Sequence, residues 1–294
     1  MHTFAYARPA TLAEAVALLE AHGPAARVLA GGTDLLPQIR KGGAGSALKP
    51  GVLISLRHIA ELRPIVFDPD HGLAIGATAR ISELLAHEAV TSHYPALACA
   101  AAQTATVQIR NMATIAGNIC NARPCADNVP TLVARAARVE LRSERGSRIL
   151  DLENVILAPG KTAIEPDELL IRIHVPPPPA HAGASYQCAS ARSRVDLTSV
   201  SVAVYLVCED AAIREARIVL GAVGPTPLRA RKAEDLLAGQ VLTKSLLAEA
   251  GEAAASESRP ITDIRASAEW RRRMVLVLTR RAIAEASERA GAKL

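Results

Sequence analysis

The stretch Thr104–Asp127 contains an unusual concentration of small and amide side chains. Gly117 can adopt a positive φ and lets a ligand approach the backbone closely. Thr114, Asn118 and Asn121 surround it with hydroxyl and amide groups that can donate or accept hydrogen bonds. The stretch contains neither a catalytic base nor a recognisable set of metal ligands. It does not have the pattern of an amphipathic helix and is too long for a tight hairpin. We therefore expect it to hold a bulky polar ligand.

A second glycine segment, A-G-G-T-D-L-L, lies near the N-terminus. Its pattern predicts a buried strand over Arg27–Ala30, a turn at Gly31-Gly32 and a helix that opens near Thr33-Asp34. Successive glycines at a strand-to-helix turn let backbone N–H groups converge on an anion. A simple turn followed by a helix N-cap explains the segment equally well. The segment is neither G-x-G-x-x-G nor a Walker loop, which excludes the usual Rossmann and P-loop assignments.

Length and composition indicate a globular protein of two compact domains. The 294 residues are half apolar but only 2% aromatic, so the core must consist mainly of aliphatic side chains. The net charge of +5 is mild, and the basic residues are scattered with few aromatics for base stacking, which argues against nucleic acid as a partner. No signal peptide pattern and no membrane-spanning apolar run is present.

The five cysteines are an odd number in a mid-sized chain, which favours reduced thiols in a cytoplasmic protein over a disulfide framework. Cys120 and Cys125 are the one close pair, and their spacing is not that of a zinc or ferredoxin motif. We predict free thiols there and no metal site.

The remaining pattern alternates short helices and strands. Thr11 and Glu14 form a capping box at the start of helix Thr11–His22, and Asp127 is expected to cap a helix over Thr131–Ala137. The proline run Pro176–Pro179 is the best linker candidate. Further predicted strands are Val52–Ser55, Ile65–Phe67, Leu73–Gly76, Val139–Arg142, Ser147–Asp151, Leu169–Val175, Ser185–Ala189, Ser199–Cys208 and Ile213–Gly221, and further helices are Ser82–Glu88, Tyr94–Thr104, Lys232–Leu237, Thr243–Ala255 and Glu269–Ala290.

The run Arg271, Arg272 and Arg273 is interpreted as a solvated or interface face of the last helix rather than a catalytic cluster.

Taken together, A-G-G-T-D-L-L and the later A-T-I-A-G-N-I-x-x-A-x-P-x-x-D resemble the FAD-binding medium subunit of the molybdenum hydroxylases, the group that includes carbon monoxide dehydrogenase and xanthine dehydrogenase. The resemblance continues through D-E-L-L-I-R-I-H-V-P (167–176), R-S-R-V-D-L-T-S-V-S-V-A (192–203), G-A-V-G-P-T-P-L-R-A (221–230) and W-R-R-R-M-V-L-V-L-T-R-R-A (270–282). It covers nearly the whole chain in the family's order.

This resemblance implies an α+β fold in two domains. Residues 1–176 would form a two-lobed FAD-binding domain of the vanillyl-alcohol-oxidase/PCMH type, with lobes of about 1–60 and 61–176. Residues 180–294 would form a C-terminal domain of the CO dehydrogenase flavoprotein type, with a three-stranded antiparallel sheet and a helical bundle.

The resemblance also implies which residues contact FAD, while no catalytic residue and no metal ligand is expected. Ala116 stands where many relatives have glycine, and Cys188 stands where some carry a lysine near the flavin. The absence of the lysine cation would alter the reduction potential of the flavin. The identity of the electron acceptor is therefore left open. The implied cofactor-binding residues are Leu29, Ala30, Gly31, Gly32, Thr33, Asp34, Leu35, Thr114, Ile115, Ala116, Gly117, Asn118, Asp127, Leu170 and Cys188.

The implied function is electron transfer within a complex. A large subunit with the molybdenum cofactor and a small [2Fe–2S] subunit would be the partners, in a dimer of heterotrimers, and FAD would pass electrons to NAD, a quinone, oxygen or another carrier. Cys188–Ser199 is either a gate beside the flavin ring or a plain hairpin. A stand-alone FAD-dependent dehydrogenase, or an interaction protein that has lost FAD, are the alternatives.

Overall fold

The structure is a computed structural model that describes residues 3–41, 48–191 and 196–292. The Gly- and Ser-rich composition of Lys41–Lys49 predicts a loop, and most of that stretch lies outside these ranges. Residues 192–195 of the segment Cys188–Ser199 lie outside them as well.

The N-terminal lobe is a small parallel sheet covered by one helix. Its elements are β1 (Ala5–Ala7), α1 (Leu12–His22), β2 (Ala26–Leu29), α2 (Leu35–Arg40) and β3 (Val52–Ser55). The strand order is β1-β3-β2, and both pairings are parallel. Ala15 and Leu19 of α1 pack with Ile54 of β3 in the core of this lobe.

Helix α1 begins where the capping residues predict. The Thr11 hydroxyl accepts a hydrogen bond from the Glu14 N–H at 3.2 Å, and the Glu14 carboxylate accepts one from the Ala10 N–H at 2.8 Å. The carboxylate thus bonds one residue before the N-cap, which is a shifted form of the predicted capping box. Gly23 ends the helix with φ +47°.

The second lobe contains a five-stranded antiparallel sheet and six short helices. These elements are β4 (Ile65–Asp68), β5 (Gly72–Gly76), α3 (Ile81–Ala86), α4 (Glu88–His93), α5 (Pro95–Gln103), α6 (Val107–Arg110), α7 (Ile115–Cys120), α8 (Asn128–Ala134), β6 (Arg138–Ser143), β7 (Gly146–Asp151), β8 (Ile156–Ala158), β9 (Lys161–Thr162) and β10 (Leu169–Val175). The strand order is β4-β5-β10-β6-β7, and β8 pairs with β9 separately.

Strand β10 joins the two lobes. Its first residue, Leu169, belongs to the core of the N-terminal lobe, whereas Leu170 and Ile173 belong to the core of the second lobe. The pairing of β10 with β6 shifts register between Leu170 and Arg172. Side chains of β10 therefore pack in both cores, and this strand holds the two lobes together.

Two short helices, α6 and α7, lie within Thr104–Asp127. Each helix has a threonine N-cap: Thr106 accepts from the Ile109 N–H, and Thr114 accepts from the Gly117 N–H. Such caps satisfy backbone donors that a short helix leaves free. The helices are four and six residues long, too short to show an amphipathic period.

The C-terminal part consists of an antiparallel sheet and three helices. The three predicted strands form, but the sheet has a fourth strand, and the expected number of three is wrong. The fourth is two residues long, too short to carry an alternating pattern. These elements are β11 (Ala182–Ser190), β12 (Thr198–Glu209), β13 (Ala212–Gly221), β14 (Leu228–Arg229), α9 (Arg231–Leu237), α10 (Lys244–Glu257) and α11 (Ala268–Arg289).

Strand β12 is buried on both faces. Val202, Val204 and Leu206 pack in the core of the C-terminal helices, whereas the alternate residues Ala203 and Tyr205 belong to the core of the second lobe. Successive side chains of a strand point to opposite faces, so one strand serves two cores. The C-terminal sheet is therefore packed directly onto the second lobe. The division of the chain at Pro176–Pro179 stays a prediction.

Arg271 is not on a solvated face, and that interpretation is wrong for this residue. Its side chain is buried, and its guanidinium donates to the carbonyls of Ser199 and Ala222 and pairs with Asp263 at 2.8 Å. Arg272 and Arg273 are exposed, as predicted.

Within the described residues, no helix is both long enough and apolar enough to cross a membrane.

Candidate functional site

A cleft of about 980 Å³ lies between the two glycine segments that the sequence singles out. Residues from both Ala30–Asp34 and Thr114–Asn118 line it, although about eighty residues separate them along the chain. The segments touch at Gly31, where an added Cβ would lie 2.2 Å from the Met112 carbonyl oxygen and 2.9 Å from Ala113 Cα. Only glycine permits this approach of two backbones.

The first segment presents backbone donors to the cleft. In the part of the chain that the structure describes, the N–H groups of Gly31, Gly32, Thr33 and Asp34 donate no hydrogen bond to another protein group. Gly32 has φ +76°, a conformation that turns successive N–H groups toward one side. Backbone N–H groups in partly buried positions are normally paired. This run of donors therefore suits an oxyanion ligand, and it distinguishes the segment from a plain turn.

The second segment is held by its own hydroxyl. Thr114 Oγ1 accepts from the Gly117 N–H at 3.0 Å and opens helix α7. Asn118 Oδ1 accepts from Asn128 Nδ2 at 3.4 Å, which connects α7 to α8. The amide and hydroxyl groups expected here are thus fixed in position by their neighbours.

Two side-chain contacts cross the cleft between the segments. Arg123 Nη2 lies 3.3 Å from Asp34 Oδ1, and Gln38 Nε2 donates to Asn121 Oδ1 at 3.2 Å. Sequence reasoning missed Arg123 and Gln38. Arg123 is the one basic residue between Asn111 and Ala134, a stretch of mainly small and polar side chains. Its isolation there could have indicated a role in the cleft.

Asp127 lies in the cleft wall, but its predicted role as a helix cap is wrong. Its backbone has helical φ and ψ, and its side chain makes no capping hydrogen bond. The carboxylate instead accepts from Tyr186 Oη at 2.8 Å and Thr198 Oγ1 at 2.5 Å. Burial raises the pKa of Asp127 above its usual value, while the hydrogen bonds from Thr198 and Tyr186 partly oppose this shift.

Apolar side chains also line the cleft. Leu170 lines it together with Leu169 and Ile164. Glu168 lies next to them, and its carboxylate is paired with Arg148 at 2.6 and 2.7 Å. Burial alone would raise the pKa of Glu168, but the hydrogen bonds from Arg148 lower it overall. A cleft lined by both apolar side chains and polar donors suits a ligand that has both a flat ring and a charged group.

Most of the predicted cofactor-binding residues line the cleft, and three do not. Leu29 and Ile115 are buried beneath it, and Cys188 lies on β11 behind Asp127. Burial raises the pKa of Cys188 to about 11, and the neighbouring charges of Asp127 and Cys99 add to this effect. The predicted residues that line the cleft are Ala30, Gly31, Gly32, Thr33, Asp34, Leu35, Thr114, Ala116, Gly117, Asn118, Asp127 and Leu170.

The titratable groups of the cleft do not form a metal site. Over residues 3–41, 48–191 and 196–292, no group of three or more His, Cys, Asp or Glu side chains could hold a metal ion. Cys120 and Cys125 are both free thiols in the cleft wall. The donors that line the cleft include backbone N–H groups, hydroxyls and the Arg123 guanidinium, and such donors suit a diphosphate.

The fold and the cleft together define a class: a two-lobed α+β module with a cleft lined by two glycine segments, followed by a C-terminal sheet-and-helix domain. Residues 2–178 match the family model described as the FAD binding domain in molybdopterin dehydrogenase, and residues 184–286 match the CO dehydrogenase flavoprotein C-terminal domain. The chain belongs to the family of FAD-binding subunits of the molybdenum hydroxylases, and it is an oxidoreductase flavoprotein subunit. The resemblance seen in the sequence is confirmed.

Individual relatives match over nearly their full length. The xanthine dehydrogenase FAD-binding subunit of Escherichia coli O157:H7 is 34% identical, with 98% of each chain covered. The carbon monoxide dehydrogenase medium chain of Afipia carboxidovorans is also 34% identical, with the same coverage. The solved carbon monoxide dehydrogenase from Hydrogenophaga pseudoflava superimposes with a TM-score of 0.92 at 32% identity and covers 97% of this chain and 98% of that one.

Proposed function

We propose that this chain binds FAD in the cleft and serves as the electron-transferring subunit of a molybdenum-containing hydroxylase. Electrons would arrive from a small [2Fe–2S] subunit, and an external acceptor would remove them. When bound, FAD would supply the exchange between one-electron and two-electron transfer. The observation that carries the proposal is the run of unpartnered N–H groups at Gly31–Asp34, placed opposite Thr114–Asn118 in a single cleft.

The chain's own groups would bind and orient the cofactor. The N–H groups of Gly31–Asp34 and the Arg123 guanidinium would hold the diphosphate, since both are donors suited to phosphate oxygens. Asn118 and Thr114 would contact the adjoining groups, and Leu170 would lie against the flavin ring. The buried Asp127 carboxylate is fixed by Tyr186 and Thr198, so it would present a fixed dipole and charge to the cofactor.

The proposed partners are a large molybdenum-cofactor subunit and a small [2Fe–2S] subunit, assembled as a dimer of heterotrimers in the cytoplasm. The relatives support a complex of this kind: the Afipia protein is called a medium chain, and the solved Hydrogenophaga enzyme is a form that lacks the Mo-pyranopterin moiety of its molybdenum cofactor. Val107, Ile109 and Met112 are also exposed in and just after α6, beside the cleft. Exposed apolar side chains grouped in this way suit contact with another subunit.

Two other functions fit the fold less well. A stand-alone dehydrogenase would need a base beside the flavin. No histidine lies among the described residues that line the cleft, and the Asp127 and Glu168 carboxylates there already accept hydrogen bonds from other side chains. A protein that has lost FAD would have no reason to keep a run of free donors. Co-purification with two further subunits supports the electron-transfer role, and isolation of an active single chain contradicts it.

The proposal of FAD binding is tested by cofactor retention in the purified chain. Gly32→Val places a β-branched residue at φ +76°, where side chains are strained and two leucine side chains already lie close. We expect this variant to fold with little bound flavin, as judged by visible absorption and circular dichroism. Normal flavin content in both Gly32→Val and Gly117→Val contradicts the site.

A further inference from the structure

A second cavity, of about 580 Å³, lies where the second lobe meets the C-terminal sheet, beside the proline segment. Tyr94 and Arg135 line it from the lobe, and residues 181–184, Tyr205 and Arg289 line it from the C-terminal part. It shares no lining residue with the FAD cleft. It is therefore a separate site, to which the electron-transfer function assigns nothing.

Arg135 is a buried cation whose charge is not balanced. Its side chain is 8% exposed, and its guanidinium lies 4.2 Å from the centre of the Tyr205 ring and 5.6 Å from that of Tyr94. One nitrogen, Nη2, donates to the Pro176 carbonyl at 2.7 Å, while Nε has no hydrogen-bond partner. In the described part of the chain no carboxylate forms an ion pair with it. Buried arginines are normally paired because an isolated buried charge is costly.

Four basic groups line the cavity: Arg135, Arg289, His93 and His181. Arg289 and His93 already have partners. Arg289 pairs with Glu285 at 2.5 Å and donates to the Ala184 carbonyl at 2.6 Å, and His93 stacks on Phe67 with ring centres 4.7 Å apart. Among the described residues, no aspartate or glutamate lines the cavity. Of the two arginines among the described lining residues, Arg135 is thus the one without an ion pair, and a ligand with one negative charge would match it.

The shape of the cavity limits the ligand further. A volume of about 580 Å³ falls in the range of pockets for small organic molecules and exceeds what an inorganic anion needs. Its walls are largely apolar or aromatic, with Pro95, Leu97, Pro178 and Pro179 beside the two tyrosine rings. We propose that this cavity binds a small aromatic monocarboxylate, with its carboxylate on the Arg135 guanidinium and its ring against the prolines.

Benzoate and benzamide provide a matched pair of probes, because they share a ring and differ in charge. The full chain, loaded with FAD, is titrated with each probe by calorimetry while the flavin absorption is recorded. We expect one benzoate per chain, an affinity for benzoate at least about tenfold above that for benzamide, and an unchanged flavin spectrum, since charge-assisted hydrogen bonds account for differences of this size. Equal affinities, no benzoate binding, or a perturbed flavin spectrum would overturn the proposal.

Three variants test whether Arg135 provides the positive charge that binds benzoate. Arg135→Met keeps most of the side-chain volume and should weaken benzoate binding by at least about tenfold while benzamide binding is unchanged. Arg135→Lys retains the charge and should recover part of the affinity, which guards against a folding defect in the first variant. Arg289→Met is the control, because that arginine lines the same cavity but is already paired. A loss in Arg289→Met as large as in Arg135→Met contradicts the assignment of Arg135.

Discussion

Asp34 and Arg123 form an ion pair across the cleft, with Arg123 Nη2 3.3 Å from Asp34 Oδ1. The first residue follows the Gly-Gly turn of the N-terminal lobe, and the second follows α7 of the second lobe. Both side chains are about half exposed, so the pair itself contributes little to stability. The position of the ion pair is important for ligand binding, because a diphosphate in the cleft would compete with Asp34 for the Arg123 guanidinium.

The first prediction concerns Arg123. Arg123→Gln should weaken FAD binding by about tenfold, because a charge-assisted hydrogen bond to a phosphate oxygen is lost while the fold is unaffected. The dissociation constant is measured by fluorescence on flavin-depleted chain. Arg63→Gln removes an exposed arginine of the second lobe that pairs with Glu83, and it serves as the control. Equal affinities for FAD in the two variants would show that Arg123 does not contact the cofactor.

The second prediction compares two glycines of the cleft. An added Cβ at Gly31 would lie 2.2 Å from a backbone carbonyl oxygen, whereas one at Gly117 would lie 2.9 Å from the Thr114 hydroxyl. Backbone cannot move aside as a side chain can, so Gly31→Ala should separate the two segments. We expect Gly31→Ala to lose at least about tenfold more FAD affinity than Gly117→Ala, as overpacking of about 1–3 kcal/mol implies. The idea fails if the order is reversed while both variants stay folded by circular dichroism.

Local patterns in the sequence were sufficient for most elements. Val52–Ser55 and Leu169–Val175 match their predicted bounds. Gly51 precedes the first apolar run, and Pro176 follows the second strand directly. Thr114 was a local signal for the start of helix α7, because threonine is favoured at helix N-caps. Backbone requirements singled out the two glycine segments, but the expectation that both contact one cofactor came from the family resemblance.

Contacts between distant residues were beyond the sequence. Asp127 takes its hydrogen bonds from Tyr186 and Thr198, which are 59 and 71 residues further along the chain. No local pattern encodes such a pair, so the carboxylate was assigned to the nearest helix instead. Arg271 differs, because it shares the helical spacing of the buried Val275 and Leu278, and that spacing indicated a buried position.

The third prediction follows from the raised pKa of Asp127. The folded state holds the carboxyl proton of Asp127 more tightly than the unfolded chain, in which the pKa has its reference value of 3.8. The contribution of Asp127 to the free energy of unfolding is therefore greatest below pH 3.8, and it falls as the pH rises through the folded-state pKa. At neutral pH the buried charge therefore destabilises the fold. Asp127→Asn should be at least as stable as the wild type at neutral pH, and its advantage should shrink on acidification, as measured by urea unfolding.

Tyr186→Phe provides the complementary measurement. In the wild-type background it should cost about 1.5–3 kcal/mol, because a hydrogen bond to a buried charge is lost. In the Asp127→Asn background the loss should fall to about 1 kcal/mol, the value for a neutral hydrogen bond. Identical losses in the two backgrounds would mean that the carboxylate carries no charge in the folded chain at neutral pH.

The fourth prediction concerns Arg271, which connects α11 to the sheet. Its guanidinium donates to the Ser199 and Ala222 carbonyls and pairs with Asp263. Arg271→Met should lower the free energy of unfolding by about 3 kcal/mol, because buried carbonyls and a carboxylate lose their donor. Arg272→Met, at the exposed neighbouring position, should change it by less than about 0.5 kcal/mol. Urea unfolding at neutral pH measures both variants.

The pH dependence of the Arg271→Met effect distinguishes the ion pair from simple packing. Hydrogen bonds from the Arg265 N–H and from Arg271 lower the pKa of Asp263 to about 2, against a reference value of 3.8. A lowered pKa means that the stability from this carboxylate is complete above pH 3.8 and is lost as the pH falls toward about 2. The difference between wild type and Arg271→Met should therefore narrow in that window. A difference that stays constant down to acid pH would assign the whole effect to the two carbonyl contacts and to packing.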